Sequence, residues 1–211
     1  MKKVLIIALM ACLGLGVAFA DGLKVGAQGG YGAFYNGFVS KDDSCSYLMA
    51  KVTGFYGAAS LEFDASEALG LKAEFGALIP SKAFLIVRNG KNDTASKNEV
   101  PDGASDVPTM FTGYLGLQFN ADLAETLSLG LGAGLDLTFG GEDDDFNMAI
   151  GAGAEVIISV NLSAGLSLNA GAKGGYYFFN TDPDLKEQAE AYNSNYASFS
   201  WKAFGGVTIA L

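Results

Sequence analysis

The chain has 211 residues, no histidine and a formal net charge of −10, with 50% of residues hydrophobic and 17% charged. The missing histidine excludes a Ser–His–Asp triad, a Cys–His dyad and any histidine base or metal ligand. The acidic balance argues against a nucleic-acid binder, which needs a basic stripe, and the hydrophobicity is too high for a disordered chain.

The first segment reads as a secretory signal peptide, residues 1–20. Met1-Lys2-Lys3 is a positive start, Val4 to Val17 is apolar, and Ala18-Phe19-Ala20 is a small-x-small cleavage site. A lipobox at Leu9-Met10-Ala11-Cys12 competes with it, although Met10 is atypical there and the residues after Cys12 stay apolar. Cleavage after Ala20 removes Lys2 and Lys3 and leaves 11 basic against 23 acidic residues in 21–211. It also leaves Cys45 as the sole cysteine, so no intramolecular disulfide is expected. No later stretch has the roughly 18 uninterrupted apolar residues of a membrane helix.

From residue 22 onward the hydrophobic period is two. Leu127, Leu129, Leu131, Ala133, Leu135, Leu137 and Phe139 alternate with Ser128, Gly130, Gly132, Gly134, Asp136 and Thr138. The same alternation recurs at about 22–35, 50–63, 69–79, 110–121, 146–159, 162–179 and 197–211, which makes eight strands. Most are longer than the roughly 5–6 residues of a soluble strand and fit the roughly 9–11 needed to cross a membrane at a tilt. Asp64–Ala68, Asp122–Thr126 and Ser159–Asn161 are tight turns, whereas 36–49, 80–109, 140–145 and 180–196 are long. Within 80–109, Phe84-Leu85-Ile86-Val87 followed by Asn89-Gly90 predicts a hairpin with a type I′ turn. Residues 184–192 suit a short helix.

One phase of every strand is apolar, with Lys51 as its only charge, at a loop end where it can snorkel. The other phase carries Lys24, Glu62, Lys72, Glu74, Asp136, Glu155, Lys173 and Lys202, four of each sign, which are expected to form interior ion-pair clusters. Strand direction places Asp136, Lys173 and Lys202 toward the long loops and the other five toward the short turns. Tyr56, Tyr114, Gln118, Ile157, Tyr177, Phe179 and Phe204 share that inner phase and line the lumen, while its glycines make space. Outward aromatics gather near strand ends, as in a membrane girdle: Tyr35, Phe111, Phe139, Phe146, Phe178, Phe199 and Trp201 toward the loops, Phe63 and Phe119 toward the turns.

These features resemble the small eight-stranded outer-membrane β-barrels of double-membraned bacteria, the OmpA transmembrane domain, OmpX and the OmpW-like proteins. The resemblance implies an all-β, antiparallel, up-and-down transmembrane barrel over 21–211, with short periplasmic turns and longer extracellular loops. It implies outer-membrane lipid as surroundings, and periplasmic chaperones and the barrel-assembly machinery as partners during biogenesis. The last strand, Phe199 to Leu211, is similar to the family's C-terminal assembly signal in its dyad spacing, but it ends in leucine where the family has an aromatic. Enzymes of this fold use a catalytic histidine, so the resemblance implies no enzyme here and no catalytic residue is carried over.

Other motifs add no chemistry. Gly130-Leu-Gly132-Ala-Gly134 has strand spacing and no Walker lysine. Glu142-Asp143-Asp144-Asp145 lacks the calcium-loop spacing and reads as a solvated acidic loop. Neither a cofactor nor a metal is expected. Three functions fit: a narrow conduit or pocket for small, hydrophobic solutes, as OmpW-like proteins imply; a non-conducting structural or adhesin-like barrel acting through its loops; or a soluble calycin-like binder, against which the glycine-rich phase and the long strands argue.

Overall fold

The computed structural model describes residues 22–43, 45–101, 107–140, 147–163, 165–181, 183–191 and 193–211. The expected signal peptide, Phe146 and the acidic stretch 142–145 lie outside them. The described elements are β1 (Leu23–Ser40), β2 (Tyr47–Asp64), β3 (Leu69–Arg88), β4 (Ser96–Glu99), β5 (Met110–Ala124), β6 (Leu127–Gly140), β7 (Asn147–Ser163), β8 (Leu166–Asn180), α1 (Pro183–Ala191) and β9 (Ser194–Ala210). Among the described residues strand β4 pairs only with β3. The other eight form an antiparallel ring in chain order, closed by β9 on β1. Closure satisfies the backbone without a free sheet edge, which is what a strand-built membrane span requires.

The two faces follow the alternation. On β6, Leu131 and Leu135 are exposed outside while Gly132, Asp136 and Thr138 are buried inside. Leu115 and Leu117 are exposed on β5, and Tyr114 and Gln118 are buried. The polar phase is therefore the interior, the reverse of a calycin.

Four details depart from the sequence expectations. Strand β3 does not stop at Ile79: a bulge at Ser81, opposite Thr53 and Gly54, carries the chain past Pro80, and β3 continues to Arg88. The hairpin forms, with Phe84–Val87 paired to Ser96–Glu99, but its connection spans 89–95 and is not a two-residue type I′ turn. That turn needs positive φ at both central residues, and here Gly90 has it (φ 90°) while Asn89 does not. The Arg88 guanidinium instead gathers the carbonyls of Gly90, Lys91 and Asp93 at 3.2, 2.9 and 3.1 Å. The turn expected at Ser159–Asn161 is strand: β7 runs to Ser163, because Ser159 and Asn161 face a polar barrel mouth. The helix expected at 184–192 is α1, one residue earlier. Past its C-terminus Asn193 adopts φ 46°, donates its backbone N–H to the Glu190 carbonyl at 3.2 Å and its side-chain amide to Asp42 at 2.8 Å, tying the last loop to the first.

Candidate functional site: a closed lumen

Alternation sends Lys72 and Glu74 of β3 to the inside together, two residues apart. Glu155 of β7 and Lys173 of β8 are direct cross-strand partners on the far wall. An eight-stranded barrel is narrow enough for those walls to meet. Lys72 Nζ lies 3.0 Å from Glu155 and 3.5 Å from Glu74, and Lys173 Nζ lies 2.7 Å from Glu74 and 3.5 Å from Glu155. The four side chains are almost fully buried and their charges cancel. Each cation bridges both carboxylates, the arrangement that makes buried ions tolerable.

Rings seal the quartet. The Tyr56 hydroxyl and the Gln28 amide both donate to Glu74, the latter at 2.7 Å. Lys173 Nζ stands 4.1 Å from the Tyr114 ring centroid, and Lys72 Nζ 5.8 Å from that of Phe204. Tyr56, Leu78, Ile157 and Phe204 form the apolar part of the core. Glycines do make space, but the plug fills it. A Cβ on Gly132 would come within 2.6 Å of Glu155 Cγ, and one on Gly171 within 2.7 Å of the Phe204 ring. On the loop side of the quartet, the space lined by Phe34, Leu78, Met110, Tyr177 and Lys202 among others is about 10 Å³, room for one water at most. There Tyr177 links the hydroxyls of Thr138 and Ser200 at 2.9 and 3.0 Å and donates to Asp136 at 3.3 Å.

Of the eight expected interior charges, four form one cluster and four do not join it. Lys24 pairs with Asp64, the last residue of β2, at 2.7 Å on the turn rim, and both are about one-third exposed. Among the described residues Glu62, Asp136 and Lys202 have no opposite charge within 4.0 Å. Asp136 leans on Tyr177, and Lys202 covers the Tyr56 ring at 4.8 Å from its centroid. Lys173 does not belong to the loop half, since its pairing with Glu155 puts it in the central quartet. Phe179 does not line the lumen. The β7–β8 register shifts between Ile150 and Gly151, Phe178 is the extra residue, and both phenylalanines face outward, 64% and 50% exposed. Tyr56, Tyr114, Gln118, Ile157, Tyr177 and Phe204 are buried.

The outer aromatics associate across strands. Tyr35 stacks on Phe199 at 4.4 Å between centroids, with Lys51 Nζ 5.1 Å from the Tyr35 centroid. Phe111 stacks on Phe139 at 5.8 Å, and Phe75, which was not expected in the girdle, joins both. Phe63 and Phe119 lie near the turn ends of β2 and β5. Trp201 is outward but sits mid-strand, because β9 starts as early as Ser194. Sequence reasoning missed Gln28, Thr138, Ser198 and Ser200 as lumen residues. Their inward phase was legible, but small neutral side chains do not stand out by type.

No protein-family model and no curated protein matches the sequence. Solved structures do match it in shape. Neisserial surface protein A has 16% identity and a TM-score of 0.54, covering 90% of this chain and 98% of that one. The fold is that of a small eight-stranded outer-membrane β-barrel. Two Pseudomonas aeruginosa structures are looser matches. The N-terminal β-barrel domain of OprF has 11% identity and a TM-score of 0.46, over 88% and 96% of the two chains. The outer membrane protein OprG has 11% identity and a TM-score of 0.44, over 89% and 93%. Identities this low speak to the fold, so the site is read from this chain's own side chains.

Proposed function

We propose that the chain, with a leader removed after Ala20, is an integral outer-membrane barrel that does not conduct and works as a structural or surface-interaction protein through its loop side. The observation carrying this reading is the plug. Two lysines, two glutamates and the rings of Tyr56, Tyr114 and Phe204 fill the cross-section, and a space of about 10 Å³ lies beyond them. Such a space is smaller than any hydrated solute path needs. The apolar outer phase, with Phe55, Ile79, Leu115 and Leu131 at least half exposed, suits acyl chains. On the loop side, β3, β4 and α1 present a hairpin and a tethered helix as contact surface.

Planar-bilayer recording of the refolded mature chain tests this. The expected result is no resolved conductance step from the wild type. Stable unitary steps would return the function to a conduit for small solutes. Recovery of the protein in the aqueous phase without detergent would remove the membrane reading itself.

A further inference from the structure

Charge enters the outward phase of the barrel on the flank built by β2, β3 and β4. Toward the loops, the outward phase of β2 runs Phe55, Thr53, Lys51, paired with Ile79, Lys82 and Phe84 of β3. Phe55 and Ile79 are well exposed, as contact with acyl chains requires. At the edge of that apolar wall the Tyr31 hydroxyl bonds those of Thr53 and Ser81. Beyond it stand three lysines. Lys82 pairs with Glu99 of β4 at 3.2 Å. Lys51 and Lys97 have no carboxylate within 4.0 Å among the described residues, in a chain with 23 acidic residues to 13 basic ones. Rings position them instead. Lys97 Nζ is 3.9 Å from the Phe84 centroid, and Lys51 Nζ is 5.8 Å from the same centroid and 5.1 Å from that of Tyr35. Tyr35 is itself held by its stack on Phe199.

A ring occupies one side of an ammonium and leaves its other N–H donors free. Here two ammoniums share the Phe84 ring at the border of the apolar band. We propose that this flank binds the phosphate group of a membrane lipid in the loop-side leaflet, with Lys51 and Lys97 donating to the phosphate oxygens. The acyl chains of the same lipid then lie along Phe55, Ile79 and the Tyr35–Phe199 stack. A cation at the edge of hydrocarbon is costly without a counter-ion, and a lipid phosphate supplies one through charge-assisted hydrogen bonds. Position selects a lipid over a soluble anion, because the lysines lie on the side wall in phase with the lipid-facing residues of β2 and β3. Glu99 shares this face but is spent on Lys82, so the face stays net positive. The inference rests on the membrane setting of the barrel, and neither on whether the lumen conducts nor on what the loops contact.

Trp201, the single tryptophan, is outward on β9 and lies in one cross-strand row with Ala33, Thr53 and Lys82. Its fluorescence therefore reports which lipids occupy this flank, through quenching by brominated acyl chains. The full mature chain is refolded into phosphatidylcholine vesicles carrying either brominated phosphatidic acid or brominated phosphatidylcholine. Phosphatidic acid should be preferred by about fivefold for each lysine engaged. Lys51→Gln with Lys97→Gln should remove the preference. Phe84→Leu, which keeps both charges and removes the shared ring, should lower it severalfold, and Lys41→Gln in the first loop should leave it unchanged. Equal quenching by the two lipids in an inserted barrel overturns the proposal. So does a preference that Phe84→Leu leaves intact or that Lys41→Gln lowers as much as the double variant, since either marks only a diffuse charge effect. Loss of the preference in inorganic phosphate, against chloride at matched ionic strength, would mark a free-anion site and overturn it as well. Insertion is read separately by gel mobility of unheated samples. Failure to insert into either vesicle would overturn the membrane reading, and this inference with it.

Discussion

At the scale of single residues, the quartet decides what the lumen is. Lys72, Glu74, Glu155 and Lys173 are buried and mutually bridged, so removing one leaves an uncompensated charge. Breaking a buried pair in this way costs about 3–5 kcal/mol. Lys173→Met should therefore lower stability by about that amount in urea unfolding of the micelle-refolded barrel. Adding Glu74→Gln, which restores the charge balance, should recover part of the loss, and additivity of the two substitutions would show that the contact carries no coupling. The glycines facing the quartet belong to the same unit. Gly132 and Gly171 are small because Glu155 and Phe204 occupy the volume a Cβ would need.

At the scale of elements, bulges set which side chains reach the lumen. A one-residue slip exchanges the two faces of a strand, and the bulge at Phe178 absorbs such an extra residue so that Tyr177 points inward while Phe178 and Phe179 both point outward. Deleting Phe178 should leave a regular strand and a folded barrel. Deleting Ala172 instead would shift Lys173 toward lipid and break the quartet. Far-UV circular dichroism and gel mobility of unheated refolded samples distinguish the two, and equal behaviour of both deletions would contradict this account. The bulge at Ser81 has a comparable role, continuing β3 beyond Pro80 into the hairpin with β4. There Tyr31, Thr53 and Ser81 exchange hydroxyl hydrogen bonds on the outer face, at 2.9 Å for Tyr31 to Thr53 and 3.3 Å between Tyr31 and Ser81.

At the scale of the whole molecule, the barrel is inverted relative to a soluble one. Leucines, phenylalanines and isoleucines stand outside, and ions, hydroxyls and amides stand inside. That inversion makes a positional prediction. Leu115 is 57% exposed at mid-strand and Leu123 is 58% exposed near the turn end of β5. In a bilayer, Leu115→Arg should cost about 2–4 kcal/mol and Leu123→Arg about 0–1 kcal/mol. Similar costs at the two sites, measured by unfolding from lipid vesicles, would argue against a membrane midplane at Leu115.

The sequence by itself determined the fold and the phase of each strand up to its bulges. Period-two alternation is a local property, readable residue by residue, and eight long alternating runs with unequal connections admit few other closures. It also determined that Lys72, Glu74, Glu155 and Lys173 face inward. Only the tertiary structure decided which inward charges meet. Partner choice depends on the stagger of the strands and on contacts between opposite walls, neither of which is written in any one segment. That is why Lys24 turned to Asp64 on the rim and Lys202 to a tyrosine ring, and why Glu62 was left facing an open mouth. Phe179 was misplaced for a related reason: a bulge shifts the alternation by one residue, and that choice is made by the neighbouring strand.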